Sequence, residues 1–420
     1  MSVNVIEVRG QQRRGPWRLS GIDTMVESWA DYLLVYDYVL DPHVVASHLA
    51  RALDINPYFA GRKMTLEQGL VVSGNNEGAR LEYCRIDGPL PNAVLAGCYD
   101  DIDAFCARDW REQHRLSRTS LKQPLLQVRL SVFEDATVIA FSVWHGLSDG
   151  TTFFQFLELL ARLACAKAPA ALPEFVPLQA RSGPVPDDAL VDRWQRPRDE
   201  QVSGAFAERA FILSDENIAW LLSGCTYQGF MRQDFLIGYI WRLIVATEDA
   251  DAQGDVTLYP VYDARQLIEI SSSRVGNLLC YPTVRAQAQQ VMNMPLPELA
   301  ALVRQAAGQR VLECEALQGE LEAICAVVEE GEKGRYLLRP LYESLYGRGV
   351  LFNNLTGMPW QRFDLGHGAP IHVDAPMHDP MRFVQFFPCL SRPDAITVKI
   401  NLPQAHLKRF AAAFAKDLES

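Results

Sequence analysis

The chain has 420 residues, 49% of them hydrophobic and 22% charged, which is the ordinary composition of a soluble globular protein. Disorder, collagen and coiled coil are excluded as the main plan, and at ~100–200 residues per domain the length calls for two or three compact units. With 40 Lys and Arg against 51 Asp and Glu the net charge is −11, which argues against general nucleic-acid binding but leaves room for a local basic pocket.

Residues 1–15 are polar, with Arg13 and Arg14 but no apolar run behind them, and do not read as a signal peptide. Residues 29–40 (WADYLLVYDYVL) are aromatic and β-branched and read as a buried strand; 42–53 follow as a helix with Val44, Val45, Leu49 and Leu53 on one face. Residues 126–132 alternate apolar with polar, and after the turn at Glu134–Asp135 residues 137–144 are almost continuously apolar. That pattern predicts an antiparallel hairpin whose second strand is central in its sheet. From Thr151 the period changes to that of a helix, with Phe153, Phe156, Leu157, Leu160 and Ala164 in one stripe. Six prolines between 168 and 198 mark a connection between domains. Beyond it, 214–222 and 234–246 read as helices, 256–262 as a strand, and 297–330 as a long helical region. Residues 350–355 and 396–402 read as strands, and 403–418 as a closing amphipathic helix.

The apolar segments 138–144 and 235–246 are too short to span a membrane. The nine cysteines form no CxxC pair, so reduced thiols in a cytoplasmic protein are the simplest reading. No GxGxxG, Walker A or GxSxG sequence is present, which weighs against nucleotide chemistry and against an α/β-hydrolase.

The feature that carries chemistry is Trp144-His145-Gly146-Leu147-Ser148-Asp149-Gly150. A buried strand delivers His145 at its end, and a helix begins after Gly150. An imidazole with an unperturbed pKa near ~6.5 can serve as a neutral base at physiological pH. Asp149 sits where a carboxylate caps the first helical N–H groups, and Gly150 permits a backbone conformation that a β-carbon would resist. Alone, the same residues describe a structural histidine followed by an ordinary N-cap.

The HxxxDG pattern is the signature of the CoA-dependent acyltransferase superfamily, and further segments extend the resemblance in the right order along nearly the whole chain. Asp364-Leu365-Gly366-His367-Gly368-Ala369-Pro370 resembles the DFGWG pentapeptide of the BAHD acyltransferases with its following proline. Asp263-Ala264-Arg265 and Gly276-Asn277 look like the family's D-x-R and G-N elements, and Leu19-Ser20-Gly21-Ile22-Asp23 resembles its LSxxD start. The resemblance implies an α/β fold of two chloramphenicol-acetyltransferase-like domains, each a mixed sheet flanked by helices, with the active-site channel between them. The expected limits are 1–170 for the first domain, 171–200 for the Pro-rich linker and 201–420 for the second.

The implied activity is transfer of an acyl group from acyl-CoA, a cosubstrate rather than a bound cofactor, to a hydroxyl or amine of a small, specialised-metabolite acceptor. His145 would be the general base. Asp149 would face away from the substrate and pair with Arg265, supporting the site together with Gly150, Asp364, Gly366 and Gly368. Trp144, Thr356, Trp360, His367 and His372 are the candidates for the substrate or cofactor channel, with Thr356 a possible oxyanion or CoA contact. A monomer is expected, without nucleic-acid or membrane partners.

His367 and Leu365 depart from the family's aromatic residues and put the packing of the cofactor channel in question. Trp144 stands where peptide-synthetase condensation domains usually carry a second histidine. Transfer from an acyl carrier protein, or a non-catalytic binding module of the same fold, are the alternative readings. A metal site built from Asp364, His367, His372, Asp374, His378 and Asp379 is a rival for that segment, but the prolines at 370, 376 and 380 break any regular spacing, and no metal is expected.

Overall fold

The computed structural model describes residues 2–26, 28–67, 69–95, 102–107, 122–195, 205–223, 232–248, 254–268, 270–312, 314–377 and 379–419. In the first half, strands β1 (Asn4–Val8), β2 (Trp29–Tyr36), β3 (Ala79–Arg85), β4 (Leu126–Val132) and β5 (Thr137–Trp144) are joined with helices α1 (Pro42–Ile55) and α2 (Gly150–Ala164). The second half holds β6 (Phe206–Ser214), α3 (Arg232–Ala246), β7 (Asp255–Pro260), β8 (Val284–Gln287), α4 (Leu296–Leu312) and α5 (Cys314–Glu330). It continues through β9 (Gly349–Asn354), β10 (His372–Asp374), β11 (Phe383–Pro388), β12 (Ala395–Pro403) and α6 (Gln404–Glu419).

Two six-stranded mixed sheets result. The first runs β1-β3-β4-β5-β2-β10 and the second β6-β12-β11-β9-β7-β8. The 126–144 hairpin forms as its alternation requires, and β5 lies between β4 and β2 with every residue buried. Helices α1 and α2 cover one face of the first sheet, where Leu49, Leu53, Phe153, Phe156 and Leu160 meet Leu34, Val128, Leu130 and Phe141. Helices α3, α4 and α6 cover the second sheet in the same way, through Ile240, Trp241, Leu299, Val303, Phe410 and Phe414. A third cluster joins the halves: Ile22 and Met25 of the short helix Gly21–Met25 pack with Leu321, Ile324 and Cys325 of α5.

Of the linker expected at 171–200, residues 196–200 lie outside the described residues, and one segment beyond it pairs with the first half. Strand β10 pairs antiparallel with β2 (His372 opposite Val35, Asp374 opposite Leu33) and so closes the edge of the first sheet. Residues Leu355, Trp360, Phe363 and Val373 pack into the first half's core. The DLGHG segment, assigned from the sequence to the second domain, therefore sits on the first. The long helical region expected over 297–330 is two helices, α4 and α5.

Candidate active site

His145 follows the last residue of β5, and its backbone N–H donates to the Ser28 carbonyl at 2.9 Å, continuing the pairing with the start of β2. The turn closes with the Leu147 and Ser148 N–H groups on the Trp144 and His145 carbonyls. Asp149 then caps α2, its Oδ1 accepting from the Thr152 N–H at 2.9 Å.

Asp149 Oδ2 enters a sealed ionic joint. It accepts from Arg265 Nη1 at 2.7 Å and from the Leu278 N–H at 3.0 Å, and the pair is shielded from water, with side-chain exposures of 1% and 0%. Every N–H of the Arg265 guanidinium has an acceptor. Nη1 reaches Asp149 and Asp263, Nη2 reaches Thr152 Oγ1 and the Gly276 carbonyl, and Nε reaches the Arg274 carbonyl. A buried ion pair is tolerated when all of its donors and acceptors are met in this way. Burial works against the guanidinium charge, but Asp149 and Asp263 outweigh it and hold the Arg265 pKa above its usual value.

The imidazole itself is held by a residue to which the sequence assigned no role. His145 Nδ1 lies 2.9 Å from Asn277 Oδ1. The Asn277 amide nitrogen donates to the His145 carbonyl at 2.8 Å and to Asp23 Oδ1 at 3.1 Å, and the Asn277 backbone N–H also donates to Asp23 Oδ1, at 2.6 Å. With both amide hydrogens committed, the oxygen must face Nδ1. Nδ1 therefore carries the ring proton and Nε2 presents a lone pair. Asp23 is in turn bound by the Ser20 N–H and hydroxyl, and burial raises its carboxyl pKa against those hydrogen bonds. Gly276, with φ of +123°, brings this strap against Asp23, where an added Cβ would stand 3.2 Å from Oδ1. Burial also lowers the His145 pKa, so the neutral imidazole persists to a more acidic pH than in water. The sequence signal was present in the LSxxD and G-N matches, which lie 254 positions apart and meet only in the fold.

The remaining sequence-assigned residues fall at several places in the fold. Gly150 is the first residue of α2, without positive φ, and an added Cβ would find its nearest neighbour at 3.8 Å, so no unusual backbone there requires glycine. Trp144 and Trp360 are sealed in the core rather than exposed to a channel. The Trp144 ring lies under Lys63 Nζ, and Trp360 packs on Phe154 and Phe363 with its Nε1–H on the Leu355 carbonyl. Thr356 spends both its N–H and its hydroxyl hydrogen on Asn354 Oδ1, at 3.0 and 2.7 Å, and so has no donor left for an oxyanion.

The DLGHG loop is a self-contained turn. Asp364 Oδ1 accepts from the N–H groups of Gly366 and Gly368, whose φ values of +114° and +133° suit glycine. Burial opposes ionisation of Asp364, yet those two N–H groups outweigh it and keep the carboxyl below its usual range. Tyr36 and Tyr38 hold the loop through the Phe363 and Gly368 carbonyls, and His367 rests edge-on against Tyr38. That places it beyond the far end of β2 from Ser28 and His145, separated by roughly 23 Å of strand.

His372 is buried in β10 with its Nε2 unpartnered, and burial lowers its pKa. The neighbouring Asp374 is joined to Lys399, which also binds Glu208 at 2.7 Å. His378 of the rival metal reading lies outside the described residues. Among the described residues no three His, Cys, Asp or Glu side chains converge as metal ligands.

A family model described as the Transferase family matches residues 19–417. The chain belongs to that family, the BAHD acyltransferases. It is 24% identical over 419 residues to anthranilate N-benzoyltransferase protein 2 of Dianthus caryophyllus, a match that covers 89% of this chain and 85% of that protein. The F. graminearum TRI101 structure, complexed with coenzyme A and deoxynivalenol, superposes with a TM-score of 0.77 at 15% identity, over 96% of this chain and 99% of that one. Vinorine synthase gives a TM-score of 0.73 at 14% identity, over 99% and 98%. These superpositions carry the fold, two mixed α/β halves. BAHD enzymes are CoA-dependent acyltransferases, and this chain is one of them. Among its described residues no helix is long and apolar enough to cross a membrane.

Proposed function

We propose that this BAHD enzyme moves an acyl group from acyl-CoA to a hydroxyl or amine of a small specialised-metabolite acceptor, with His145 as general base. The observation that carries the assignment is the Asn277 clamp, which commits Nδ1 as a donor and leaves Nε2 with its lone pair free. Nε2 takes the acceptor's proton as the oxygen or nitrogen attacks the thioester carbonyl. The tetrahedral intermediate collapses with cleavage of the C–S bond, and the departing sulfur receives the proton from His145 as CoA thiol. Both substrates are held together, so proximity supplies much of the rate and no acyl-enzyme is required.

In this reading Asp149 and Arg265 do no chemistry. They fix the turn that carries His145, while Asp364, Gly366 and Gly368 shape a supporting loop remote from it. The enzyme acts as a monomer in the cytoplasm. Product mass spectrometry with an acyl-CoA panel and candidate acceptors tests the assignment. Acylated products with the wild-type chain and their loss in His145→Ala are expected; near-normal turnover by that variant would remove the base role. Transfer from an acyl carrier thioester but not from CoA would replace the donor. Failure with either donor would favour a binding module.

A further inference from the structure

A cavity of about 620 Å³ has Ser28 in its lining, the residue whose carbonyl accepts the His145 N–H. That volume falls in the range of small-molecule sites, ~300–1,000 Å³. Met25, Val26, Leu345 and Met381 form an apolar stretch of a lining that also carries charged residues, among them Arg18 and Glu329, and another part of its wall is formed by Trp194 and Tyr336.

Those two rings are fixed in advance. The short strands Leu190–Asp192 and Tyr336–Leu338 pair antiparallel with Asp192 opposite Tyr336. Asp192 accepts from Arg335 Nε and Nη2 at 3.0 and 2.7 Å, and its other oxygen accepts from the Trp194 N–H at 3.0 Å. The guanidinium so held lies over both rings, 5.5 Å from the Trp194 centroid and 5.1 Å from that of Tyr336. Trp194 nevertheless remains 54% exposed, a large apolar area left bare at the edge of a cavity. A rigid indole already ordered by a fixed cation loses little further freedom when a ligand covers it, and a flat ring covers it best.

We propose that Trp194 is the specificity-determining residue of this cavity, and that the cavity takes a planar aromatic acceptor stacked on the open area of the indole. Its role as acceptor rests on the acyl-transfer reading; the stacking does not.

Equilibrium binding separates the two. The probes are 2-naphthalenemethanol and its fully saturated decahydro analogue, titrated against the wild-type chain, Trp194→Ala and Trp194→Phe by calorimetry. The naphthyl probe should bind the wild type. Trp194→Ala should weaken it about tenfold while changing the saturated analogue by less than about threefold, and Trp194→Phe should recover most of the loss. Equal losses for both probes, no loss in Trp194→Ala, or no naphthyl binding by the wild type would each overturn the proposal. If the binding pattern holds but no aromatic alcohol or amine is acylated, the acceptor role of the cavity fails and the aromatic site stands.

Discussion

Arg265 shows how much of the shape of the His145 turn can rest on one buried residue. Its five N–H groups are spent on two carboxylates, one hydroxyl and two carbonyls, drawn from both halves of the chain. Arg265→Ala strands the Asp149 charge and should cost about 3–5 kcal/mol, read from the midpoint of urea unfolding. Arg265→Lys keeps the charge but offers three donors from a single point, and should restore only part of that stability. Asn277 instead holds His145, the proposed base. Asn277→Ala should lower kcat by about a hundredfold, the scale of general-base catalysis, with KM for acyl-CoA nearly unchanged and folding intact. Since burial lowers the His145 pKa, the acid limb of kcat/KM should fall below pH ~6.5, with a flat profile from neutrality upward. A limb above that value would mean that the imidazole is stabilised as a cation.

Among the elements, β10 is the one whose placement needs the whole fold. Three residues of strand hold the edge of the first sheet, yet Asp374 is tied through Lys399 and Glu208 to β12 and β6 of the second. Burial raises the Glu208 carboxyl pKa, while Asp374 and Glu208 together outweigh burial and raise that of the Lys399 ammonium. Removing the cation leaves two neighbouring, largely buried carboxylates without their shared partner. Lys399→Met should destabilise the protein by about 3 kcal/mol or more. It should also speed amide exchange at residues 372–374 and along β2, while α6 stays protected. Uniform exchange throughout the molecule would show that the joint is not local to β10.

Over the whole molecule, the buried histidines set the response to acid. His406 is locked neutral: its Nε2–H donates to the Ile244 carbonyl at 2.9 Å and its Nδ1 accepts from Arg382 Nη1 at 3.2 Å. Burial, helped by the Arg382 charge, brings its pKa down to about 4 from an unperturbed 6.5. Between those values the unfolded chain takes up a proton that the folded chain refuses. The stabilisation is complete above pH ~6.5 and drains away as the pH falls toward 4, by about 3 kcal/mol in all. His145 and His372, lowered by burial, act in the same direction. Tm should therefore fall steeply from pH 7 to 5, and less steeply in His406→Gln, where thermal melts at matched ionic strength give the slopes.

The pattern of apolar residues along the chain was enough to determine the 126–144 hairpin, helix α2 behind it and the closing helix α6, because periodicity is a local property. The resemblance of HGLSDG and DLGHG to known signatures singled out His145, its neighbouring N-cap Asp149 and a two-glycine turn. Tertiary structure decided what touches what. Asp23 and Asn277 are ordinary polar residues until the packing of Ile22 and Met25 on α5 brings their segments together over His145. The DLGHG loop belongs to the first half because β10 finds an open edge beside β2, a choice that three residues cannot announce. Trp144 and Trp360 read as channel residues from their neighbours in sequence, but large apolar rings go where the core is deepest. Hydrogen bonds and ion pairs between distant segments follow from the path of the backbone in space, which no local pattern encodes.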